Sequence, residues 1–498
     1  SIRQDLRALT KGLAAEASVS FDNIGGMNET TNKEYRYMNS NASITSDGTL
    51  VTTPAIYGTD SETLGHTQPF ERLMLRSDFQ AKVDYNRTFG KHQVGGALIY
   101  DMQSVVKNGR NNSQKNQSVL VNATYTYDNR YSLNAVFNRS GSAYLPDGDK
   151  YSNYPAVSAA WIVSNEAFME KVTPINLFKI RASYGLSGWD GNLSHELWRQ
   201  SYGSGGAGYN FGVNAGGQSG GSEGDLPVIG LVAEKSQKAT FGFDLAAFDN
   251  RLNATVEGFY EKRSDILVSG ANSTSGIIGI TVGQVNEGIY KYKGVDASLS
   301  WNDKIGDFHY GIGASMSYLN TEVVNVNQAY QEYDYLYTKG NRIGQMYGLE
   351  AIGFFNSQQE INNSPQQTFS DVAPGDVKYK DQNGDNRIDE KDIVKMFGSS
   401  VPRFYFGFNL NFSYKRLELS ADFQGMTGVT VSLLNSPLYS PLVSNGNISN
   451  TFLNEEISWT PENKANATMP RLTTQENLNN YRASSLWYRD GSFLKLRN

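Results

Sequence analysis

The residues of this 498-residue chain best suited to chemistry lie in one short acidic segment, 381–392. The segment reads Asp-Gln-Asn-Gly-Asp-Asn-Arg-Ile-Asp-Glu-Lys-Asp, which has the spacing of an EF-hand or dockerin-type calcium loop. Oxygen atoms at positions 1, 3, 5, 7, 9 and 12 of such a loop can surround a hard cation. The segment therefore predicts a structural Ca²⁺ site formed by Asp381, Asn383, Asp385, Asp389, Asp392 and the main-chain carbonyl of Arg387.

Two positions depart from that loop pattern. Asn386 stands where glycine is usual, although asparagine also tolerates a left-handed backbone. Asp392 stands where a bidentate glutamate is common. The alternative is a solvated acidic surface loop, the usual state of a charge-rich segment. A bound Ca²⁺ is expected mainly to stiffen the loop.

Catalytic chemistry is poorly represented elsewhere in the chain. The four histidines lie in separate segments, with neither metal-ligand spacing nor the order of a catalytic triad. The glycine-rich run 201–224 has no strand–GxGxxG–helix setting, so we interpret it as a loop rather than a nucleotide site. No pair of carboxylates stands out at glycosidase spacing. We therefore do not expect an enzyme.

Composition excludes further classes of protein. The chain has no cysteine, which excludes a disulfide scaffold and a zinc–cysteine site. Its 44 basic and 50 acidic residues give a net charge of -6, which argues against a nucleic-acid partner. No window approaches the roughly 18 apolar residues of a membrane-spanning helix. A helix-based hydropathy test therefore classifies the chain as soluble.

A period-2 alternation of apolar and polar residues contradicts that classification. In 403–414 every even position is aromatic or leucine, and the odd positions are mostly polar or glycine. Successive side chains of a strand point to opposite faces, so such a strand has one apolar and one polar face. The pattern recurs in about fifteen segments, many of about ten residues, the length that a tilted strand needs to cross a bilayer.

Short and long connections alternate between these predicted strands. Long polar insertions fall near 23–70, 104–117, 188–236, 264–290, 321–401 and 429–486, with short turns between them. A membrane barrel with short periplasmic turns and long extracellular loops has this order. Soluble β-sandwiches lack the two-sided rule, and a propeller would need a blade repeat. We therefore predict an all-β fold, an antiparallel transmembrane β-barrel.

Aromatic residues of the predicted extracellular loops are the best ligand candidates. The apolar faces of sugar rings stack on aromatic planes, while polar neighbours bind the hydroxyls. Packing within the loops is the alternative role for each residue. Inward residues such as Arg181 and Glu257 are expected to line a polar lumen. The predicted substrate-binding residues are Trp189, Trp198, Tyr209, Tyr333 and Tyr335.

Three motifs in a fixed order connect the chain to a known family. They are Pro374-Gly375-Asp376-Val377-Lys378-Tyr379-Lys380-Asp381, then Trp459-Thr460-Pro461-Glu462-Asn463 with Met469-Pro470-Arg471-Leu472, and finally 484–498, which ends in Leu496-Arg497-Asn498. Together they resemble the SusC/RagA family of TonB-dependent outer-membrane transporters, typical of Bacteroidota. The likeness covers essentially the whole chain.

The resemblance implies a function and partners. It implies TonB-dependent import of glycan oligosaccharides or peptides across the outer membrane, together with a SusD-like surface lipoprotein. TonB, ExbB and ExbD would supply energy through a plug region, and outer-membrane lipid would surround the barrel. The alternative is a passive porin-like or adhesin barrel without TonB coupling.

The resemblance also implies how much of the barrel is present. The signal peptide, TonB box and plug of the family are not recognised in the chain, and family sequences continue past the final motif. We therefore expect residues 1–498 to form a partial barrel domain, with about 15 of an expected 22 or so strands. Residues 321–401 are expected to form a long extracellular loop that contains segment 381–392.

Overall fold

A computed structural model describes residues 1–44, 49–68, 70–107, 113–209, 217–270, 277, 279–280, 282–434, 457–473 and 477–498. Its main element is a 15-stranded antiparallel sheet in which the strands are neighbours in chain order. This confirms the predicted all-β architecture. The strands are β1 (Ile2–Asp5), β2 (Leu13–Met27), β3 (Phe70–Phe89), β4 (His92–Val106), β5 (Gln114–Tyr127), β6 (Tyr131–Ser142), β7 (Tyr151–Ile162), β8 (Ile175–Trp189), β9 (Glu234–Ala247), β10 (Leu252–Ser269), β11 (Gln284–Ile305), β12 (Phe308–Asn325), β13 (Phe404–Tyr414), β14 (Leu417–Thr427) and β15 (Phe493–Leu496).

The connections obey the predicted two-sided rule. Tight turns such as 90–91, 128–130 and 415–416 join the strands at one end of the sheet. Connections at the other end are generally longer, including 190–233 and 326–403. The longest loop thus begins after Asn325 rather than at 321, because the β11–β12 ladder continues up to that residue. Among the described residues, no helix is long and apolar enough to span a bilayer.

Strand β6 illustrates how the sheet separates its two faces. Tyr131, Leu133 and Phe137 are 46%, 49% and 47% exposed on one face. Asn134 and Asn138 alternate with them and are half-buried on the other face. A broad exposed apolar face is what the lipid of a membrane covers, and the polar face then lines the interior of the barrel.

The long connection 326–403 folds together with 457–473 and 477–487 into a compact unit that we call the loop domain. Leu349, Val377, Tyr379 and Ile388 form its buried core, and Trp487 packs beside Met469 in a second cluster. Its helices are α1 (Gln358–Asn362) and the 3₁₀ turns Asp334–Leu336 and Glu390–Asp392, and two more 3₁₀ turns, Val163–Asn165 and Ala167–Met169, lie between β7 and β8. Small strand pairs complete the loops: Thr30–Asn32 with Gly65–Thr67, Tyr37–Ile44 with Leu50–Tyr57, Tyr202–Tyr209 with Gln218–Glu223, Gln345–Gly348 with Val394–Ser399, Ala351–Phe354 with Val377–Tyr379, Gln366–Gln367 with Arg387–Ile388, and Thr430–Ser432 with Tyr488–Asp490.

Candidate functional site

The inward faces of β8, β9 and β10 carry a network of opposite charges. The Asp244 carboxylate lies 3.3 Å from Lys179 Nζ and 3.4 Å from Arg181 Nε. Arg181 also donates a hydrogen bond to Glu257. The strand register aligns Arg181, Gly242 and Glu257. Because Gly242 has no side chain, Arg181 reaches across a whole strand to its partner.

A second group of charges lies nearer to the long loops on the same inward face. Arg263 Nε is 2.6 Å from Glu261, and its Nη1 is 3.7 Å from Glu234. The Arg263 guanidinium also lies over the ring of Tyr292, 4.9 Å from the centroid. Since these charges are paired, the inner wall is polar with little local net charge, which suits contact with polar uncharged groups such as hydroxyls and amides.

The structure places Trp198 within a loop core. Trp198 packs against the buried cluster of Leu145, Leu193, Val228, Leu231 and Ala233. The guanidinium of Arg199 covers its ring at 4.5 Å. These contacts favour the packing role for this residue, and its predicted role in substrate binding stays a prediction.

Two of the other predicted aromatic residues are more accessible. Trp189, at the end of β8, is 54% exposed, and Tyr209, at the end of strand Tyr202–Tyr209, is 66% exposed. Trp189 is the last residue of β8, whereas Tyr209 belongs to the connection between β8 and β9, as Trp198 does. This one connection therefore contains two of the five predicted substrate-binding residues, and a third lies at the strand end that leads into it.

Tyr333 and Tyr335 belong to a different loop and contact the acidic segment. Their rings stack with centroids 5.3 Å apart at an interplanar angle of 13°. The Tyr335 hydroxyl donates to the Lys391 carbonyl oxygen at 2.7 Å. Burial raises the pKa of Tyr335, and the nearby Asp392 carboxylate raises it further. In the sequence, the tyrosines and the acidic segment are separate features. The fold brings them into contact.

The acidic segment has the backbone shape that its sequence suggested. The Asp381 carboxylate accepts hydrogen bonds from the N–H groups of Gly384 and Asn386, at 2.7 and 2.8 Å. Asn386 has the left-handed φ of 60° that the pattern requires. Ile388 is fully buried in the core of the loop domain. The segment is thus a folded turn rather than an extended strand.

The proposed ligands of that segment bind main-chain groups. Asp392 is fully buried and accepts from the N–H groups of Gln382 and Asp389, at 2.7 and 2.9 Å. Asn383 and Asp385 likewise accept main-chain N–H groups two residues further on. Within the described ranges, no three His, Cys, Asp or Glu side chains are grouped so that they could hold a metal ion. The calcium site therefore stays a prediction.

A buried carboxylate that the sequence did not single out holds the loop domain together. Asp376 is fully buried and accepts from Arg471 Nε at 2.7 Å and from Arg471 Nη2 at 3.1 Å. The side-chain amides of Asn477 and Asn480 also donate to it, at 3.1 and 2.9 Å. Both Asp376 and Arg471 lie in the motifs that carry the family resemblance. Because the two motifs are far apart in the chain, the sequence did not indicate that they are in contact.

The residue before Asp376 shows why this motif contains glycine. Gly375 has φ of +94°, a left-handed conformation that side chains rarely adopt. A Cβ atom there would lie 2.4 Å from the Trp459 ring. The Pro-Gly-Asp and Trp-Thr-Pro motifs thus meet in space.

Comparisons with known proteins agree with this architecture. Residues 3–436 match the family model described as TonB dependent receptor-like, beta-barrel. TonB-dependent receptor P26 of Formosa agariphila is 28% identical over 384 residues, which cover 75% of this chain and 37% of that protein. TonB-dependent receptor SusC of Bacteroides thetaiotaomicron is 21% identical over 354 residues, which cover 66% of this chain and 32% of that protein. The chain thus spans less than half the length of these relatives.

A solved structure shows the same fold. The RagAB peptide transporter has a TM-score of 0.69 and 17% identity, covering 98% of this chain and 53% of that chain. At this level of identity the likeness concerns the fold alone. The relatives are receptors rather than enzymes, which agrees with the expectation from the sequence that the chain is not an enzyme. The family model matches most of the length of this chain, and the antiparallel sheet has the expected strand order. This chain therefore belongs to the TonB-dependent receptor β-barrel family of outer-membrane proteins.

Proposed function

We propose that this chain is the barrel portion of a transporter that imports oligosaccharides or peptides across the outer membrane. The charge-paired inner wall around Arg181 and Glu257 supports this proposal most directly, because it gives a polar solute a hydrogen-bonding path. In the proposed assembly, a SusD-like lipoprotein covers the long loops, and TonB with ExbB and ExbD supplies the energy. The fold shared with the RagAB peptide transporter is compatible with a peptide cargo.

Uptake by the full-length protein in its own host tests this function. Cells with and without the gene would be given labelled oligosaccharides and labelled peptides, each in a normal and a TonB-deficient background. We expect uptake of one cargo class that requires both the gene and TonB. Uptake that requires the gene but persists without TonB would favour the passive-pore alternative. Co-purification of a surface lipoprotein would test the partner.

We also propose that segment 381–392 binds Ca²⁺, which stiffens the loop domain. The loop spacing, the left-handed Asn386 and the buried Ile388 support this assignment. In the full-length protein, Ca²⁺ should reduce protease cleavage within 376–396, and Mg²⁺ should reduce it less. Asp385→Ala should abolish the protection, whereas the control Glu360→Gln, in the same loop, should retain it. Cleavage that Ca²⁺ leaves unchanged would contradict the proposal.

A further inference from the structure

Gly258 leaves a gap in the outward, lipid-facing side of the sheet. On that face the strand register aligns Phe241, Gly258, Val295 and Tyr318 across β9, β10, β11 and β12. The large side chains around the glycine form the walls of an apolar groove of about 720 Å³. Phe241, in the wall of the groove, is 64% exposed.

Three lysines stand on the same face at the end of the groove that is nearer to the long loops. Lys293 pairs with Tyr260 and lines the groove itself. One step further along the strands, Lys262 and Lys291 are direct cross-strand neighbours. Like charges directly opposite each other destabilise a sheet unless an anion compensates them. The face is thus apolar at the groove and basic above it.

Protein carboxylates do not neutralise this group. In the part of the chain that the structure describes, none of the three lysines forms an ion pair. Glu322 is aligned with Lys291 on β12, yet the two form no ion pair. Asp265 on β10 is already paired with Lys235, at 3.1 Å. One adjacent glutamate faces three ammonium groups, so the local charge is positive.

The position of the lysines indicates what they meet. Tyr260 is level with Lys293, and Tyr318 lies one step below it, at the level of an aromatic girdle where apolar chains give way to head groups. Because the long loops of such barrels are extracellular, this level belongs to the outer leaflet, which is built of phosphorylated glycolipid. Basic side chains at this depth bind anionic head groups.

We propose that this outward surface binds a phosphorylated glycolipid of the outer leaflet, with one acyl chain in the groove at Gly258 and a phosphate on Lys262, Lys291 and Lys293. The two halves of the surface match the two halves of the ligand. The groove accepts a hydrocarbon chain because its walls are apolar and it has no side chain at its centre. The lysines provide the positive charge that a phosphate requires.

Native mass spectrometry of the full-length protein in mild detergent tests the proposal. The probes are bis-phosphorylated lipid A, the same lipid without phosphates, and phosphatidylethanolamine. The variant Lys262→Gln, Lys291→Gln, Lys293→Gln should lose affinity for lipid A about tenfold or more, the scale expected when three interfacial lysines lose their charge. The matched control changes three lysines at the opposite end of the barrel: Lys11→Gln, Lys304→Gln, Lys415→Gln. The control alters the net charge equally and should bind as the parent does.

A second variant tests the groove without altering charge. A Cβ atom at Gly258 would contact only the carbonyl oxygens of Phe241 and Gly294, at 3.8 and 4.0 Å, so it would meet no steric clash. Gly258→Leu should fill the groove and weaken binding of the phosphorylated and dephosphorylated lipids by similar factors. Unchanged lipid binding by Gly258→Leu would overturn the proposal, so the test stays decisive if the triple variant fails to fold.

Two further results would overturn the proposal. One is equal lipid A binding by the lysine variant and its control. The other is equal retention of phosphatidylethanolamine and lipid A by the parent protein, which would mean a non-selective lipid belt.

Discussion

The guanidinium of Arg471 binds the fully buried carboxylate of Asp376, 95 positions earlier in the chain, through two hydrogen bonds of 2.7 and 3.1 Å. This ion pair joins connection 326–403 to the connection that follows β14. Both connections emerge from the same end of the sheet, so the pair ties two neighbouring loops into one body. The lipoprotein partner that we propose would thus meet a preformed surface.

Breaking this pair should open the loop domain while the barrel stays folded. Arg471→Met leaves a buried carboxylate without its cation, which typically costs about 3–5 kcal/mol. Hydrogen exchange should therefore accelerate in 351–380, 457–473 and 477–487 but not in β5 or β6. The control Lys380→Gln removes an exposed pair with Glu350 and should cost at most about 1 kcal/mol. Equal exchange in the two variants would contradict the structural role of Asp376.

The loop domain should also lose stability at alkaline pH. Burial raises the pKa of Tyr481 to about 12, and burial also raises the pKa of Tyr379. Since an unfolded tyrosine titrates near about 10, the folded form holds its proton more tightly. The contribution of this tighter proton binding to the stability of the loop domain is fully present below about pH 10. It is lost as the pH rises towards about 12.

Tyrosinate absorbance recorded together with protease sensitivity would check this. Tyr481→Phe should remove part of the alkaline loss, whereas Tyr330→Phe, at an exposed site in the same domain, should leave it unchanged. A loop domain equally resistant at pH 8 and pH 11.5 would contradict the expectation.

The charge network of the inner wall should stabilise the barrel through its pairs. Arg181→Met leaves Glu257 facing the lumen without its cation and should lower the thermal unfolding temperature of the barrel. The double variant Arg181→Met, Glu257→Met no longer has the unpaired charge of Glu257. Much of the lost unfolding temperature should therefore be recovered. Heat-modifiable gel migration provides the readout. Arg7→Gln, which breaks an exposed pair with Asp5 at a turn, serves as the control.

Substitutions of the loop aromatic residues should have different effects, depending on whether the ring is packed or exposed. Trp198→Ala removes a ring from a loop core and should destabilise connection 190–233 by about 2 kcal/mol, less than for a fully buried tryptophan. Trp189→Ala and Tyr209→Ala remove exposed rings and should leave stability unchanged while weakening ligand capture about 3- to 10-fold. Ligand titration and hydrogen exchange on the same variants separate the two effects. Unchanged capture in both exposed variants would remove these residues from the candidate site.

The alternation of side chains by itself determined the strands and their two faces. Alternation with period 2 is a local property, so the apolar face of β6 could be predicted from its own twelve residues. The two-sided rule of connections followed from their lengths. Loop boundaries shifted by a few residues where a ladder extends further than its apolar pattern, as at Asn325.

Tertiary structure alone decided which distant residues meet. Asp376 and Arg471, or Tyr335 and Lys391, are far apart in the chain, and nothing in either member of a pair specifies the other. Similarly, Lys262 and Lys291 become neighbours only through the register between β10 and β11, since a slip of one residue would turn one of them to the other face. Local sequence thus determined where each side chain points along its strand, whereas cross-strand register and loop packing decided what it meets.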